Sequence, residues 1–344
     1  MKNSILVVNL KTFDADMNVN TTGSDGLSAE NKTYYGKKLL GIAQKKLVHN
    51  RYGDRYQIPK NCGKKMELRK YSKLPKVTQA LQEGVTPKGQ EMQVTKVEAE
   101  VSQYGGYITL SDVLEMSAID PNISAATELC GYQSGESIDG ITREYLNGGT
   151  NVLYAPKVAA DGTETEVTIR SELDETAQIT VDVVNQAVAY LRGQDAEVLP
   201  ECNAFIGLIH PYVAYDLMKD PLWIDVSKYA GAEKIEEGEI GKIGGVKFID
   251  ATEAKIWKDE TCPEGLAVFS TLIIGLHAYA TTDIEGLGME HIIKQKGSAG
   301  TSDPLNQRST VGWKATHVAE ILSDEYMMRI ESCSKKFSAK TEAN

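Results

Sequence analysis

The stretch DPNISAATELCGYQSGESIDGITREYLNGG, Asp120–Gly149, decides the fold class because it predicts one long helix. Asp120 can cap the first free amides, Pro121 is favoured in a first helical turn, and the closing Gly-Gly pair supplies a stop. Apolar or small side chains recur at steps of three and four: Ile123, Thr127, Cys130, Ser134, Ile138, Ile141 and Tyr145. The pattern predicts a spine helix over residues 121–147, roughly 40 Å long.

Three glycines lie inside this predicted helix, at Gly131, Gly135 and Gly140. Each costs about 1 kcal/mol relative to alanine in a helix interior. Either a neighbouring backbone approaches closely, or the helix breaks near Gly135. The sequence leaves both alternatives open.

Upstream, the period changes to two between Leu81 and Asp112. The alternating apolar residues are Met92, Val94, Val97, Ala99 and Val101, followed by Tyr107, Ile108 and Leu110. Gly105-Gly106 is expected to break the run. Because the apolar alternation is too sparse for a central core strand, it predicts a projecting β-hairpin.

Downstream, short helices and strands follow without regular alternation, which favours an α+β fold over a doubly wound one. Helices are predicted over Thr180–Leu191 and from His210-Pro211 to Asp220-Pro221. Strands are predicted over Val152–Ile169 with a turn at Asp161-Gly162, Asn203–Ile209, Gly241–Asp250, Leu266–Ala280 and Val311–Glu331.

Composition indicates a globular protein, since 344 residues with 41% hydrophobic content suffice for about two domains. The most apolar window, Gly265–Ala280, is too short for a membrane span, and no secretory signal is evident. The five cysteines are Cys62, Cys130, Cys202, Cys262 and Cys333. Without a Cys-x-x-Cys pair, they are expected to be reduced thiols rather than a disulfide framework or a zinc site.

Charge is distributed unevenly along the chain. Residues 31–73 contain 13 Lys and Arg against Asp54 and Glu67, a net +11 that leaves −22 on the rest because the total is −11. Tyrosines lie among these basic residues. The segment therefore predicts a contact with an acidic surface of a neighbouring subunit or with nucleic acid, or else a solvated arm.

Candidate chemistry is sparse. The glycine-rich run Gly238–Gly245 lacks the Gly-Lys-Ser/Thr of a phosphate loop and contains Glu239, so it predicts a turn or bulge. The possible acid–base residues are His210, His277, Asp283 and Glu285. No nucleophile motif or metal-ligand spacing accompanies them. We therefore predict no catalytic, cofactor-binding or metal-binding residues, no cofactor, and no enzymatic activity.

An ordered series of motifs over about residues 80–332 resembles the major capsid family named after phage N-four. The motifs are Glu83–Gly89, Val101–Tyr107, Ser111-Asp112, Ala118–Pro121, Asn147–Asn151, His210-Pro211, Tyr215–Leu217, Asp220-Pro221, Trp223, Tyr229, Gly238–Ile249, Asp303–Arg308 and Thr310–Lys314. The first 80 residues match poorly. The resemblance implies the Hong Kong 97-type capsid fold.

The resemblance also implies a domain organisation. It predicts an N-terminal arm over residues 1–61 and an extended β-hairpin loop over 62–104. A peripheral domain, over 105–175 and 301–344, would contain the spine helix at 121–147. An axial domain would span 176–300.

The implied function is the major capsid protein of a tailed phage. Copies would assemble into hexamers and pentamers of an icosahedral shell around double-stranded DNA, without sequence-specific DNA binding and without a membrane. The implied partners are the chain itself, a portal, and possible scaffold and decoration proteins. Localisation would be the virion, after assembly in the cytoplasm of the bacterial host.

Two alternatives stay open at this point. A bacterial encapsulin-type nanocompartment shell has the same fold, and fold alone does not separate it from a phage shell. An enzyme of unrecognised type is the more distant alternative.

Overall fold

The structure, a computed structural model, describes residues 47–71, 74–81, 83–84, 86–117, 122–159, 161–224, 239–286, 288–298, 300 and 303–344. Most of the predicted arm, the Asp120-Pro121 helix start and part of the glycine-rich run lie outside these residues. The helices are α1 (Asp112–Ser117), α2 (Asn122–Leu146), α3 (Val181–Gly193) and α4 (Pro211–Leu217).

Sixteen strands are described. The first eight are β1 (Asp54–Ile58), β2 (Lys65–Tyr71), β3 (Val94–Glu100), β4 (Ser102–Ser111), β5 (Val152–Tyr154), β6 (Lys157–Val158), β7 (Glu164–Thr165) and β8 (Phe205–Ile209). The others are β9 (Glu239–Ile243), β10 (Val246–Asp250), β11 (Ile256–Trp257), β12 (Val268–Ile274), β13 (Tyr279–Ile284), β14 (Met289–Lys294), β15 (Arg308–Ile321) and β16 (Met327–Ser332). This mixture of helices and sheets is the predicted α+β class.

The predicted spine helix is α2, and it runs unbroken for 25 residues. The break near Gly135 does not occur. Gly131 and Gly135 are buried, whereas a Cβ at Gly140 would meet nothing within 4 Å, so close approach by a neighbour stays a prediction for the first two glycines and does not apply to the third. The predicted stripe holds through Ile138 but is wrong in the last turn, where Tyr145 is exposed and Leu146 is buried. The buried face shifts there because Leu146 packs into a different apolar cluster from the first four turns.

The first sheet is organised by β15. Its residues 308–317 pair with β4 on one edge, residues 310–315 pair with β14 on the other, and residues 318–321 pair with β13, which in turn pairs with β1. Helix α2 packs on one face, where Cys130 and Ile138 share a cluster with Val311 and Trp313.

Gly105-Gly106 lies inside β4, so the predicted break there is wrong. A Cβ at Gly105 would lie 2.8 Å from the Trp313 carbonyl oxygen, and one at Gly312 would lie 2.9 Å from the Gly106 carbonyl oxygen. Such separations are too short for a side chain. These glycines therefore permit close strand pairing rather than ending a strand.

The second sheet has seven strands in the order β5-β16-β12-β8-β10-β9, with β11 also on β12. Helix α3, capped by Thr180, buries Val184, Val188 and Leu191 as predicted. The expected turn in the glycine-rich run is confirmed, because Gly244 and Gly245 join β9 to β10 with φ of +61° and +90°. Only glycine takes such values without strain.

Sheet membership crosses the predicted domain boundaries. Strands β13 and β14, from the predicted axial range, belong to the sheet of β15. Strand β16, from the predicted peripheral range, pairs with β12 in the other sheet. Each of the two sheets therefore takes strands from more than one of the ranges 105–175, 176–300 and 301–344. These domain boundaries stay a prediction.

A buried polar cluster fixes the segment before β1 to the middle of α2. Asp139 accepts a hydrogen bond from the His49 backbone amide at 2.7 Å, and its other oxygen lies 2.7 Å from His49 Nδ1. The Tyr279 hydroxyl donates to the His49 carbonyl. A side chain at Gly53 would collide with the Tyr279 ring, so this position requires glycine.

A second buried cluster joins two sides of the seven-stranded sheet. Arg170 donates from Nε and Nη2 to both oxygens of Glu331, at 2.6 and 2.7 Å, and Arg329 Nε lies 2.9 Å from Glu331. The Arg170 guanidinium lies 3.9 Å from the Trp257 ring centroid. Glu331 is fully buried, so its charge depends on these two arginines.

We predict that Glu331→Gln lowers the free energy of unfolding by about 3 kcal/mol, because two guanidiniums lose their buried counter-charge. Chemical denaturation measures the change. The matched control is Glu342→Gln, since Glu342 pairs with Lys258 at the surface and is 84% exposed. The control should change stability by less than about 1 kcal/mol, and an equal effect of both would contradict the prediction.

The second prediction concerns His317, whose Nε2 lies 2.8 Å from Thr142 Oγ1 between β15 and α2. Burial lowers the pKa of His317 from 6.5 to about 4. The unfolded chain therefore binds a proton below pH 6.5 that the folded chain excludes. Stability should fall as pH falls through this range, with about 2 kcal/mol lost between pH 7 and pH 5 on account of this residue.

His317→Gln should remove that share of the pH dependence while keeping a polar partner for Thr142. Unfolding free energies at pH 7 and pH 5 measure it for both proteins. Burial also lowers the pKa of His210 to about 4, but His210 is present in both and cancels in the comparison. Identical pH dependence in the two proteins would refute the assignment.

Candidate intersubunit surfaces

The predicted projecting hairpin exists, but its strands are β2 and β3. They pair from Lys65↔Glu100 to Tyr71↔Val94 and form a sheet of their own. The range 62–104 that the family resemblance implies contains both strands, whereas the alternation from Leu81 to Asp112 contains β3 and omits β2. The alternation of Met66 and Leu68 with charged residues was the signal that could have identified it.

Apolar packing anchors the hairpin to the body at its base, and Lys70 near the other end contacts Glu325 and the Tyr326 ring. Ala99 and the following Val101 are buried with Ile58 and Val318, and Met66 packs against this small cluster. The rest of both strands is exposed or half-buried. The apolar anchor of the hairpin therefore lies at one end, and most side chains of β2 and β3 beyond it are exposed.

Beyond its base, the hairpin exposes large apolar side chains. Their exposed fractions are 44–76%, and the residues are Tyr71, Leu74, Val77, Leu81, Met92 and Val94. A run of exposed apolar side chains on one segment is typical of a surface that another molecule covers. Its own chain offers it no core to join among the described residues.

The basic residues of the hairpin have acidic neighbours within the chain. Lys65 lies 3.4 Å from Glu100, Arg69 lies 2.9 Å from Glu67, and Lys70 lies 3.6 Å from Glu325. All three pairs are exposed, and such pairs contribute about 0–1 kcal/mol. Because these pairs are weak, the side chains can exchange partners and pair with a neighbouring subunit. That intersubunit role stays a prediction.

An open trough lies on the face of the β4-β15-β14 sheet opposite α2. Alternation along β15 places Thr310, Gly312 and Lys314 on this face, away from the helix. The cavity has a volume of about 610 Å³ and contains Gly105, Tyr107, Ile292, Lys294, Arg308 and Lys314 among its lining residues. Tyr107 is 75% exposed. Because the floor includes glycines, a second backbone can approach it closely.

The acid–base candidates do not form a common site. His210 caps α4 by accepting the Tyr212 amide at Nδ1, at 3.2 Å. His277 Nδ1 lies 2.7 Å from Asp54, whereas Asp283 is half-buried and burial raises its pKa. The backbone amide of Glu285 donates to the Ile58 carbonyl. The contacts of His210 and His277 are local ones within the fold, and no two of the four candidates contact each other among these bonds.

Other features bear on metal, membrane and redox chemistry. No group of three or more metal-ligating side chains occurs among the described residues. Within the same part of the chain, no helix is both long and apolar enough to cross a bilayer. All five cysteines are free thiols.

The chain is similar in structure to several phage capsids. For the capsid of Ralstonia phage GP4 the TM-score is 0.63 at 14% identity, over 84% of this chain and 88% of that one. For the capsid of cyanophage P-SCSP1u the TM-score is 0.59 at 12% sequence identity, over 82% of this chain and 86% of that one. For the acidic stable capsid of Helicobacter pylori bacteriophage KHP30 the TM-score is 0.59 at 13% sequence identity, over 83% of this chain and 88% of that one.

No protein-family model matches the chain, and no curated protein matches it. The structural likeness shows the fold, and the chain has the Hong Kong 97-type capsid fold that the sequence predicted. The narrower assignment to the N-four-type family stays a prediction.

We predict that the hairpin contributes little to the stability of the isolated subunit. Replacing residues 74–92 by a short Gly/Ser linker should leave the free energy of unfolding within about 0.5 kcal/mol, because the removed side chains join no core. The control is Val101→Ala at the buried base, which should cost about 2 kcal/mol. A large loss in the linker variant would mean that the segment belongs to the core.

Proposed function

We propose that the chain is the major capsid protein of a tailed phage. Copies assemble into hexamers and pentamers of an icosahedral shell around double-stranded DNA. The observation that carries the proposal is a folded subunit of the capsid fold whose hairpin exposes six apolar side chains. A monomer gains nothing from that hairpin, whereas a shell of many copies can bury it.

The geometry supports contacts between unlike surfaces. A ring of identical subunits closes when one patch of each subunit meets a different patch of its neighbour. The hairpin and the trough are two such patches on this chain. In the proposed shell the hairpin of one copy lies over the trough of the next, where Tyr107 and Ile292 cover its apolar side chains.

The charge distribution supports a shell that encloses DNA without adhering to it. The chain outside residues 31–73 carries −22, which repels phosphate and lets packaged DNA slide. The basic segment then pairs with acidic surface on neighbouring subunits. We further propose a portal, with possible scaffold and decoration proteins, as the other partners, and the virion as the location after assembly in the host cytoplasm.

An enzymatic role is not part of the proposal. Among the acid–base candidates, His210 caps α4 and His277 contacts Asp54. The nanocompartment alternative shares the fold and becomes one outcome of the test.

Electron microscopy of the purified protein tests the proposal. We expect shells, tubes or sheets of capsomers from the wild-type chain, with any required scaffold supplied. The linker variant at residues 74–92 should remain folded and fail to assemble. A wild-type protein that stays monomeric at high concentration would overturn the proposal. Closed shells that copurify with an enclosed enzyme instead of DNA would favour the nanocompartment.

The same assay tests the basic segment. In an assembly reaction that contains no nucleic acid, reversing the charges of Lys64, Lys65, Arg69 and Lys70 by substitution with Glu should block assembly. High salt should weaken assembly of the wild-type protein, because the Debye length falls to ~3 Å at 1 M.

A matched control for these reversals adds Glu67→Lys and Glu100→Lys, which restores the pairs inside the hairpin but not those with a neighbour. Assembly regained in the control would show that the internal pairs mattered instead. Normal empty shells from the quadruple variant, with less packaged DNA, would assign the segment to nucleic acid.

A further inference from the structure

Helix α4 exposes a second apolar surface far along the chain from the hairpin. Its inner face is fully buried through Val213, Ala214 and Leu217. Its outer side, the turn after it and the helical residues 221–224 that follow expose Tyr212, Tyr215, Met218, Leu222 and Ile224, with exposed fractions of 36–54%. A helix that is apolar on both sides usually has a partner on each. We call these five residues, with Lys219 and Lys336, the α4 surface.

The aromatic part of the α4 surface is held rigid by the C-terminal segment. The Tyr212 ring stacks on Phe337 with centroids 4.2 Å apart, and Tyr215 meets Phe337 edge-on at 5.9 Å. Lys219 Nζ lies 3.8 Å from the Tyr215 ring centroid, and Lys336 Nζ donates to the Tyr215 hydroxyl at 3.2 Å. Rigid aromatic side chains lose little entropy on binding, which makes them good anchors.

The two lysines of the α4 surface are exposed, and neither lies within ion-pair distance of a carboxylate in the part of the chain that the structure describes. Instead they share one phenol, and their hydrogen bonds to it lower the pKa of Tyr215. The hydrogen bond to Tyr215 and, more weakly, the charge of Asp216 raise the pKa of Lys336. Two ammonium groups around one hydroxyl, beside an apolar patch, form a surface that suits an acidic partner.

The same chain has an acidic surface on the seven-stranded-sheet region, and one edge of it lies next to Cys333, three residues before Lys336. Its exposed carboxylates are Asp161, Glu164, Glu166, Glu172, Glu175, Asp259, Glu260 and Glu264. The two contributing stretches are adjacent, because Val167, Leu173 and Cys262 share one buried cluster. The arginine within it, Arg170, is already paired with Glu331. We call these eight carboxylates the acidic face.

We propose that the α4 surface of one copy docks on the acidic face of the next copy around each ring of subunits. This inference rests on the proposed assembly and names the surfaces that meet. The two patches share no residue, as a heterologous ring contact requires. Tyr212, Tyr215 and Met218 then supply the dry centre of the contact, while the lysines at its rim meet the carboxylates and set the register.

A charge-swap experiment tests the pairing by electron microscopy and sedimentation of assembled material. The variant Lys219→Glu/Lys336→Glu should fold normally but lose at least tenfold in assembly yield. The variant Glu172→Lys/Glu175→Lys should also assemble poorly. Combining all four substitutions restores opposite charges across the contact at the net charge of the wild type, and should recover assembly.

Three results would overturn the inference. The first is a lysine variant that assembles as well as wild type. The second is a fourfold variant whose assembly yield stays as low as that of the lysine variant although circular dichroism shows a folded subunit. The third is a lysine variant that forms normal shells which retain less nucleic acid, a result that would assign the α4 surface to DNA binding. Because wild-type shells are measured alongside, failure of this pairing is distinguishable from failure of assembly itself.

Discussion

Close packing around one strand determines the first sheet of this protein. The fourteen-residue strand β15 holds β4 and β14 on its two edges, holds β13 further along, and carries α2 on one face. Glycines at positions 105 and 312 remove the Cβ atoms that would otherwise meet the backbone of the paired strand. With the sheet fixed in this way, Val318 of β15 also supplies part of the cluster that anchors the hairpin.

Local periodicity explains what the sequence predicted well. The spine helix and α3 follow from apolar spacing and caps within a few residues, and the buried strand β8 follows from five consecutive apolar or small residues. Two of the misreadings involve partners that are distant in sequence. In the sequence, the pair Gly105-Gly106 is equally compatible with the end of a strand and with close pairing of two strands. Only the position of the Trp313 backbone distinguishes the two cases. The crossing of β13, β14 and β16 between predicted domains has the same origin.

Candidate surfaces are harder to predict than elements, because exposure is a property of the fold. Alternating apolar residues in β3 could equally belong to a half-buried strand, and the missing information is that β2 and β3 pair only with each other. The apolar side chains on the outer side of α4 have the composition of a core helix. The local contacts of the acid–base candidates, such as His277 with Asp54, likewise depend on residues distant in sequence.

The anchoring of the hairpin at its base has an evolutionary consequence. Since the described side chains between Tyr71 and Val94 join no buried cluster of their own subunit, we expect substitutions there to be filtered by the fit to a neighbour and hardly by folding. The base residues Ala99 and Val101 are under the opposite constraint. Length and composition of the outer hairpin can therefore drift together with the surface it touches, while the body of the protein keeps its architecture at very low sequence identity.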